Sequence, residues 1–307
     1  MKTIRIFRTR GLILATVLGV SAGCASPAFA QNVVQTVIVN PDGKVIYLDT
    51  LGQSGHATDI NDAGQVAGDF YSNAIGTNHA FITGPNGVGM TDLGTLAGIN
   101  SDMSSSSYAT GINDAGQVAG RSTLEGGLPV HAFITGPNGM GMTDLGTLVG
   151  PSDYSAAFGI NNAGQVVGNS ATGDGSLHAF ITGPNGMGLT DLGTLGGPFS
   201  HGSQGSQGSD INDAGQVVGL STTADGSSHA FITGPNGMGM TDLGTLGGSY
   251  IEASAINDTG QVVGFSYTGD GSSHAFITGP NGMGMTDLNS IVNLPRGGYL
   301  RDAQGNQ

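Results

Sequence analysis

After residue 55 the chain alternates short apolar runs with turns rich in Gly, Asn, Asp and Pro. The copy that starts near Ala253 shows the pattern most plainly. Ala253–Ile256 is a short apolar run, followed by the turn Asn257-Asp258-Thr259-Gly260. Asn, Asp and Gly tolerate positive φ in such turns, and Asx side chains bond the local backbone. Gln261–Tyr267 comes next, and its adjacent Val262 and Val263 predict a strand buried on both faces. Gly269–Ser273 reads as a hairpin loop, His274–Thr278 as a third strand, Pro280-Asn281-Gly282 as a tight turn and Met285–Leu288 as a fourth strand. Helical periodicity is missing over any useful length.

This unit recurs five times, with its His-Ala-Phe triplets starting at His79, His131, His178, His229 and His274. The spacings of 52, 47, 51 and 45 residues fall in the range of propeller repeats. Four short strands joined by hairpins predict one propeller blade. One blade cannot bury both of its faces alone, so neighbours must cover them. A half unit comes first: Gln35–Gly43 and Tyr47–Gly52 match the third and fourth strands, with Pro41-Asp42-Gly43 in place of Pro-Asn-Gly. The expected fold is therefore all-β, a β-propeller of four-stranded blades. Five full repeats plus an N-terminal half blade give a six-bladed ring whose last blade is incomplete. Tyr299–Gly305 reads as a degraded first strand and turn of that blade, inside a degenerate C-terminal segment, 292–307. A β-solenoid is the alternative; it predicts shorter sub-periods, and the two halves of a unit are not alike.

Residues 1–30 read as an export signal. Lys2, Arg5, Arg8 and Arg10 precede an apolar run, Gly11–Ala22, and Ala28-Phe29-Ala30 is a small-x-small cleavage site. The run is too short for a stable membrane anchor. Gly23-Cys24 suggests lipidation instead, but Ser21 stands where that motif wants an aliphatic residue. Cleavage after Ala30 leaves a repeat domain at 31–291, secreted, periplasmic or at the cell surface. It also removes the only cysteine, and with it disulfide and thiolate chemistry. Four of the eight basic residues leave with the signal and all 22 acidic residues stay. Nucleic acid and anionic membrane surfaces are poor partners for such a chain; acidity of this kind favours solubility outside the cell.

The recurring Ile-Asn-Asp-x-Gly-Gln-Val-Val-Gly, His-Ala-Phe and Asp-Leu-Gly-Thr-Leu-Gly-Gly blocks resemble the HAF-repeat family of probable extracellular bacterial proteins. The resemblance covers roughly residues 35–291 and implies export and a repeat scaffold, but no reaction. Two features depart from it. Ile-Thr follows His-Ala-Phe where the family has Leu-Trp, and the C-terminus lacks a complete final repeat.

The repeated polar residues read first as structure. Each motif histidine begins a third strand beside a buried Phe, where it can bond the Asn or Asp of its own blade's first turn. Asp62, Asp114, Asp213 and Asp258 occupy those turns. A metal held by the five histidines is disfavoured, because ligands must lie about 2 Å from zinc and equivalent atoms of different blades are far apart. Asp174, Asp225 and Asp270 sit in Asp-Gly-Ser loops that supply hard oxygens suited to Ca²⁺, but few per loop. Turn formation explains Asp-Gly without an ion, so no cofactor is expected and a calcium-stabilised surface protein is one alternative. Gly-Pro-Asn-Gly-Met-Gly lacks the helix and Lys of a phosphate loop.

The residues that differ between copies are candidates for binding. They cluster in the links between repeats, at 97–108, 149–155, 196–209 and 247–252, which a propeller gathers on one face. Tyr108, Tyr154, Phe199 and Tyr250 fall there, and the position four before the motif Ile varies as His56, Tyr108, Ala156, Gln207 and Glu252. Tyr offers a flat face and a polar tip that suit a sugar or a protein partner; packing against the blade edge is the competing role. Arg121, Glu125, Glu252, His56 and His201 are the unusual polar residues, and their spacing forms no nucleophile–base or carboxylate pair. The expected function is a non-enzymatic binding or structural module at the cell exterior, contacting an extracellular glycan or cell-surface protein. An extracellular propeller enzyme acting on polysaccharide is the other alternative.

Overall fold

A computed structural model describes residues 55–72, 75–98, 105–196 and 205–291 in full, and four earlier strands by their backbone. Those are β1 (Ile6–Thr9), β2 (Leu12–Leu18), β3 (Val34–Val39) and β4 (Val45–Tyr47), an N-terminal sheet in sequence order. Sheet I holds β5 (Gly55–Ile60), β6 (Val66–Ser72), β7 (Thr77–Thr83) and β8 (Met90–Gly94). Sheet II holds β9 (Ser107–Ile112), β10 (Val118–Thr123), β11 (Val130–Thr135) and β12 (Met142–Gly146). Sheet III holds β13 (Ser155–Ile160), β14 (Val166–Ala171), β15 (Leu177–Thr182) and β16 (Leu189–Gly193). Sheet IV holds β17 (Ser206–Ile211), β18 (Val217–Thr222), β19 (Ser228–Thr233) and β20 (Met240–Gly244). Sheet V holds β21 (Gly247–Ile256), β22 (Val262–Thr268), β23 (Ser273–Thr278) and β24 (Met285–Asp287), followed by a one-turn helix, Leu288–Ile291. The chain divides into two compact units, and the division falls within sheet II.

The half repeat expected at 35–52 is present as the antiparallel pair β3–β4. Its other two strands come from the segment read as the export signal, with Leu14 opposite Ile38 and Phe7 opposite Leu14. The expected closing strand at Tyr299–Gly305 lies outside the described residues.

Each full repeat becomes one sheet for a local reason. The first strand bulges two residues before the motif Ile, as at Ala157/Gly159 and Gly208/Asp210. A bulge bends its strand toward the partner, and the glycine of Val-Val-Gly makes room. A Cβ on Gly168 would lie 1.9 Å from the Ala156 carbonyl oxygen, and one on Gly219 the same distance from that of Gln207. The triplet Phe packs its ring over this glycine, and Phe81, Phe133, Phe180, Phe231 and Phe276 are fully buried. Burying each contributes about 1.5–3 kcal/mol. In the second unit the core is shared between consecutive sheets: Val218, Ala230 and Ile232 of sheet IV pack with Ile251, Ala253 and Phe276 of sheet V.

The first and third turns of every repeat lie at one end of the sheet, stacked on each other. Asn185 N and Gly186 N donate to the carbonyls of Ala163 and Gly164, and the same two bonds recur in the other repeats. The Asn of each Pro-Asn-Gly turn sits at φ 53–55°, the left-handed region that Asn tolerates better than most residues. The remaining turns and the links between repeats lie at the opposite end.

Candidate functional site

The motif Asn and Gln fasten each sheet to the next within its unit. Asn161 Oδ1 accepts from Ala163 N and Gln165 N, while its Nδ2 donates to Gln165 Oε1 and to the Asn212 carbonyl, 3.0 Å away. Gln165 Nε2 then reaches Asn236 Oδ1 in the Pro-Asn-Gly turn of the next sheet. The first-turn aspartates act in the same seam: Asp114 Oδ1 accepts from Asp62 N, Asp213 Oδ1 from Asn162 N and Asp258 Oδ1 from Asp213 N. Serine adds a second seam. Ser206 Oγ accepts from Ala179 N and donates to the Gly193 carbonyl, as Ser107 and Ser155 do at earlier junctions. Ile251 replaces it before sheet V.

The five histidines are paired, but not with the first turn. The carboxylate that meets each imidazole belongs to the fourth strand: His79–Asp92, His131–Asp144, His178–Asp191, His229–Asp242 and His274–Asp287, all at 2.8–3.0 Å through Nδ1. The same Asp also accepts a backbone N–H two residues on, such as Gly193 N on Asp191. A register shift at Ala179/Phe180 sets Phe180 opposite Asp191 and brings that carboxylate beside His178. His79 and His131 are buried, with Nε2 lacking a partner; the other three are about one-quarter exposed.

Among the described residues, no three His, Cys, Asp or Glu side chains gather in a group able to hold a metal. In the Asp-Gly-Ser loops the carboxylates serve the turn. Asp174 Oδ1 accepts from Thr172 Oγ1, Ser176 N and Ser176 Oγ at 2.6–3.0 Å. Asp225 and Asp270 accept from the matching Thr hydroxyl and Ser N–H. These bonds hold all three carboxyls well below the usual range.

The variable residues occupy strands more than links. His56, Tyr108, Gln207 and Glu252 all lie in first strands. There Tyr108 Oη accepts from Asn78 Nδ2 and Gln207 Oε1 from Asn169 Nδ2, both in the preceding sheet. His56 Nδ1 is 3.8 Å from Asp69. Tyr154 precedes β13 and uses its carbonyl to bond Ala171 N. Arg121 lies in β10 and Glu125 in the loop after it. Phe199 and His201 lie outside the described residues.

Sheet V gathers an aromatic group that includes one of these candidates, Tyr250. Tyr250 packs on Phe265 and Tyr267, with ring centroids 5.8 and 5.9 Å apart, and its hydroxyl lies 3.4 Å from Glu252 Oε2. Burial and the Glu252 charge raise the phenol's pKa. Tyr267 is 40% exposed. Tyr71 stands at the same place in sheet I and is 42% exposed, although β9 packs against β6, whereas the smaller Thr123 and Thr222 at that place in sheets II and IV are buried. Val263 differs: it is 38% exposed where Val218 of sheet IV is fully buried beneath sheet V.

One polar position escaped the motif reading. The residue before the motif Ile is Asp59, Gly111, Gly159, Asp210 or Ala255. Asp210 Oδ1 accepts from Ile211 N, and its Oδ2 accepts from Ile256 N in the next sheet at 2.9 Å. Asp59 spans sheets I and II identically, to Ile60 N and Ile112 N. Part of Asp210 remains accessible, yet surrounding protein strips most of its solvation and pushes the carboxyl up to about 6.

No family model and no curated protein matches the chain. Solved structures do. The β-propeller domain of the trilobed protease from Pyrococcus furiosus, described as having an open velcro topology, aligns with a TM-score of 0.58 at 9% identity, over 94% of this chain and 84% of that one. A prolyl endopeptidase gives 0.57 at 10%, over 94% and 43%. The dipeptidyl peptidase 4 of Porphyromonas gingivalis gives 0.51 at 11%, over 91% and 44%. The chain thus spans less than half of each of these two peptidases. At such identities the likeness establishes the fold alone: the chain is an all-β propeller with roughly six blades, and sheets I–V are its repeat blades. Among the described residues, no helix is long and apolar enough to cross a membrane.

Proposed function

We propose that the chain is a non-enzymatic binding module of the HAF-repeat type, exported through residues 1–30, whose loss leaves β3 and β4 as a half blade, and acting at the cell exterior as a six-bladed ring with an incomplete last blade. The observation that carries the binding role is the aromatic group of blade V. Tyr250 and Tyr267 present partly exposed rings at the end of the blade where the variable links lie, and Glu252 adds an acceptor beside the Tyr250 hydroxyl. An aromatic face with a neighbouring carboxylate is suited to a sugar ring, which stacks its C–H face and donates hydroxyls. Tyr108 and Gln207 contribute less to this reading, since their polar atoms already bond the preceding blade. The unusual polar residues His56, Arg121, Glu125 and Glu252 lie in three different blades, which favours binding over catalysis.

The test is a glycan and cell-envelope binding panel with the purified chain and its Tyr250→Ala and Tyr267→Ala variants. Binding that is lost in folded variants supports the reading. Binding that survives both substitutions, or none by the folded parent, removes it.

A further inference from the structure

The turn Gly-Pro-Asn-Gly-(Met/Val)-Gly-(Met/Leu) holds two apolar positions, two residues apart, with opposite fates. The second packs inward: Met90, Leu189, Met240 and Met285 lie against the cores of blades I, III, IV and V. The first points to solvent in each of blades I–V. Met140, Met187, Met238 and Met283 are 67–70% exposed, and Val88 stands in their place in blade I.

The turn itself does not require these side chains. The backbone there is extended, at φ −71 to −84°, which any residue adopts. The turn is held by main-chain bonds, as from Met187 N to the Pro184 carbonyl and from Gly183 N to the Met187 carbonyl. Val88 closes the same turn without a thioether. In blades III–V the three exposed methionines share one end of the second unit, because each Pro-Asn-Gly turn is stacked on its own blade's first turn, from which Gln165 and Gln216 reach the Pro-Asn-Gly turn of the next blade. The only thiol of the chain is Cys24, inside the proposed signal, against ten methionines in all.

We propose that Met140, Met187, Met238 and Met283 are oxidation sites that take up oxygen from peroxide-class oxidants while the propeller stays folded. In the step, a thioether sulfur lone pair attacks one peroxide oxygen and the O–O bond breaks. A sulfur–oxygen bond forms and the sulfur loses two electrons to the peroxide. The departing hydroxide takes the proton left on the transferred oxygen and leaves as water. Sulfoxide formation turns a flexible apolar side chain into a polar one, which disrupts cores but is harmless where the side chain faces water. The first position therefore accepts the product, and the second does not.

The full chain treated with limiting hydrogen peroxide, digested and mapped by mass spectrometry, tests this. First-position methionines are expected to gain one oxygen at least about fivefold faster than Met240 and Met285, with circular dichroism and urea midpoint unchanged. Equal rates at the two positions would overturn the proposal. So would loss of folded signal in step with first-position oxidation. A variant carrying Met140→Leu, Met187→Leu, Met238→Leu and Met283→Leu is expected to fold and to lose most of the fast phase of peroxide consumption. Persistence of that phase in the variant would count equally against the proposal.

Discussion

Asn212 donates from Nδ2 to the main-chain carbonyl of Asn257, the same residue one repeat later. Asn161 does the same to Asn212, and Asn61 to Asn113. A turn residue thus joins neighbouring blades, which explains why Ile-Asn recurs without variation in five copies. Asn161→Ala removes a buried side chain whose Oδ1 and Nδ2 bonds are all made within the protein. Leaving those partners unpaired is expected to cost about 2–4 kcal/mol, read as a lower urea midpoint. Asn257→Ala should cost much less, because Asn257 is exposed in the last repeat. Equal losses at the two positions would show that the bond across the seam contributes little.

The Val-Val-Gly glycine is required by space. A Cβ at Gly168 would sit 1.9 Å from the Ala156 oxygen and 2.9 Å from Ala157 Cα. Relieving that clash must open the first strand at its bulge, so Gly168→Ala is expected to destabilise by about 3 kcal/mol. Gly173→Ala is the control, since a Cβ there meets nothing within 4 Å. Its urea midpoint should match the parent.

Burial separates the five histidines. His131→Ala opens a cavity in blade II, whereas His229 already reaches solvent with a quarter of its side chain. The expected costs are about 2–4 kcal/mol for the first and about 1 kcal/mol for the second. Thermal melting of the two variants orders them directly.

Much of this architecture was legible in the sequence. Gly/Asn/Asp turns bracket strands whose apolar cores, such as Val217-Val218 and Phe231-Ile232, are buried as the pattern requires. In blade V the rule stops at Val263, which is 38% exposed although Val262 beside it is fully buried. The histidine partner was not legible. Asp191 lies 13 residues after His178, and only the register shift in the third and fourth strands selects it over the first turn. The variable residues were misplaced for a different reason. The first strand of blade IV reads Ser206-Gln207-Gly208-Ser209-Asp210-Ile211, almost wholly polar, so hydrophobic periodicity could not extend it back into the link. The role of Asp210 was hidden in the same polar run.

That carboxylate gives the chain a distinctive dependence on pH. Asp210 titrates near 6 in the fold against an ordinary 3.8, because burial disfavours its charge more than the Ile256 and Ile211 N–H groups favour it. A raised carboxyl means that the native state binds a proton the unfolded state does not, between about pH 4 and 6. Stability from this group therefore grows as pH falls through that window, by at most about 3 kcal/mol. Asp174, Asp225 and Asp270 act oppositely, since their lowered carboxyls stabilise the fold above pH 3.8 and lose that contribution on further acidification. The urea midpoint is expected to rise from pH 7 toward about pH 4–5 and to fall below it. Asp210→Asn keeps one acceptor and removes the titration, so it should flatten the rise while leaving the acid limb in place. A parent whose stability is level between pH 7 and 4.5, or a variant that keeps the full rise, would place the controlling group elsewhere.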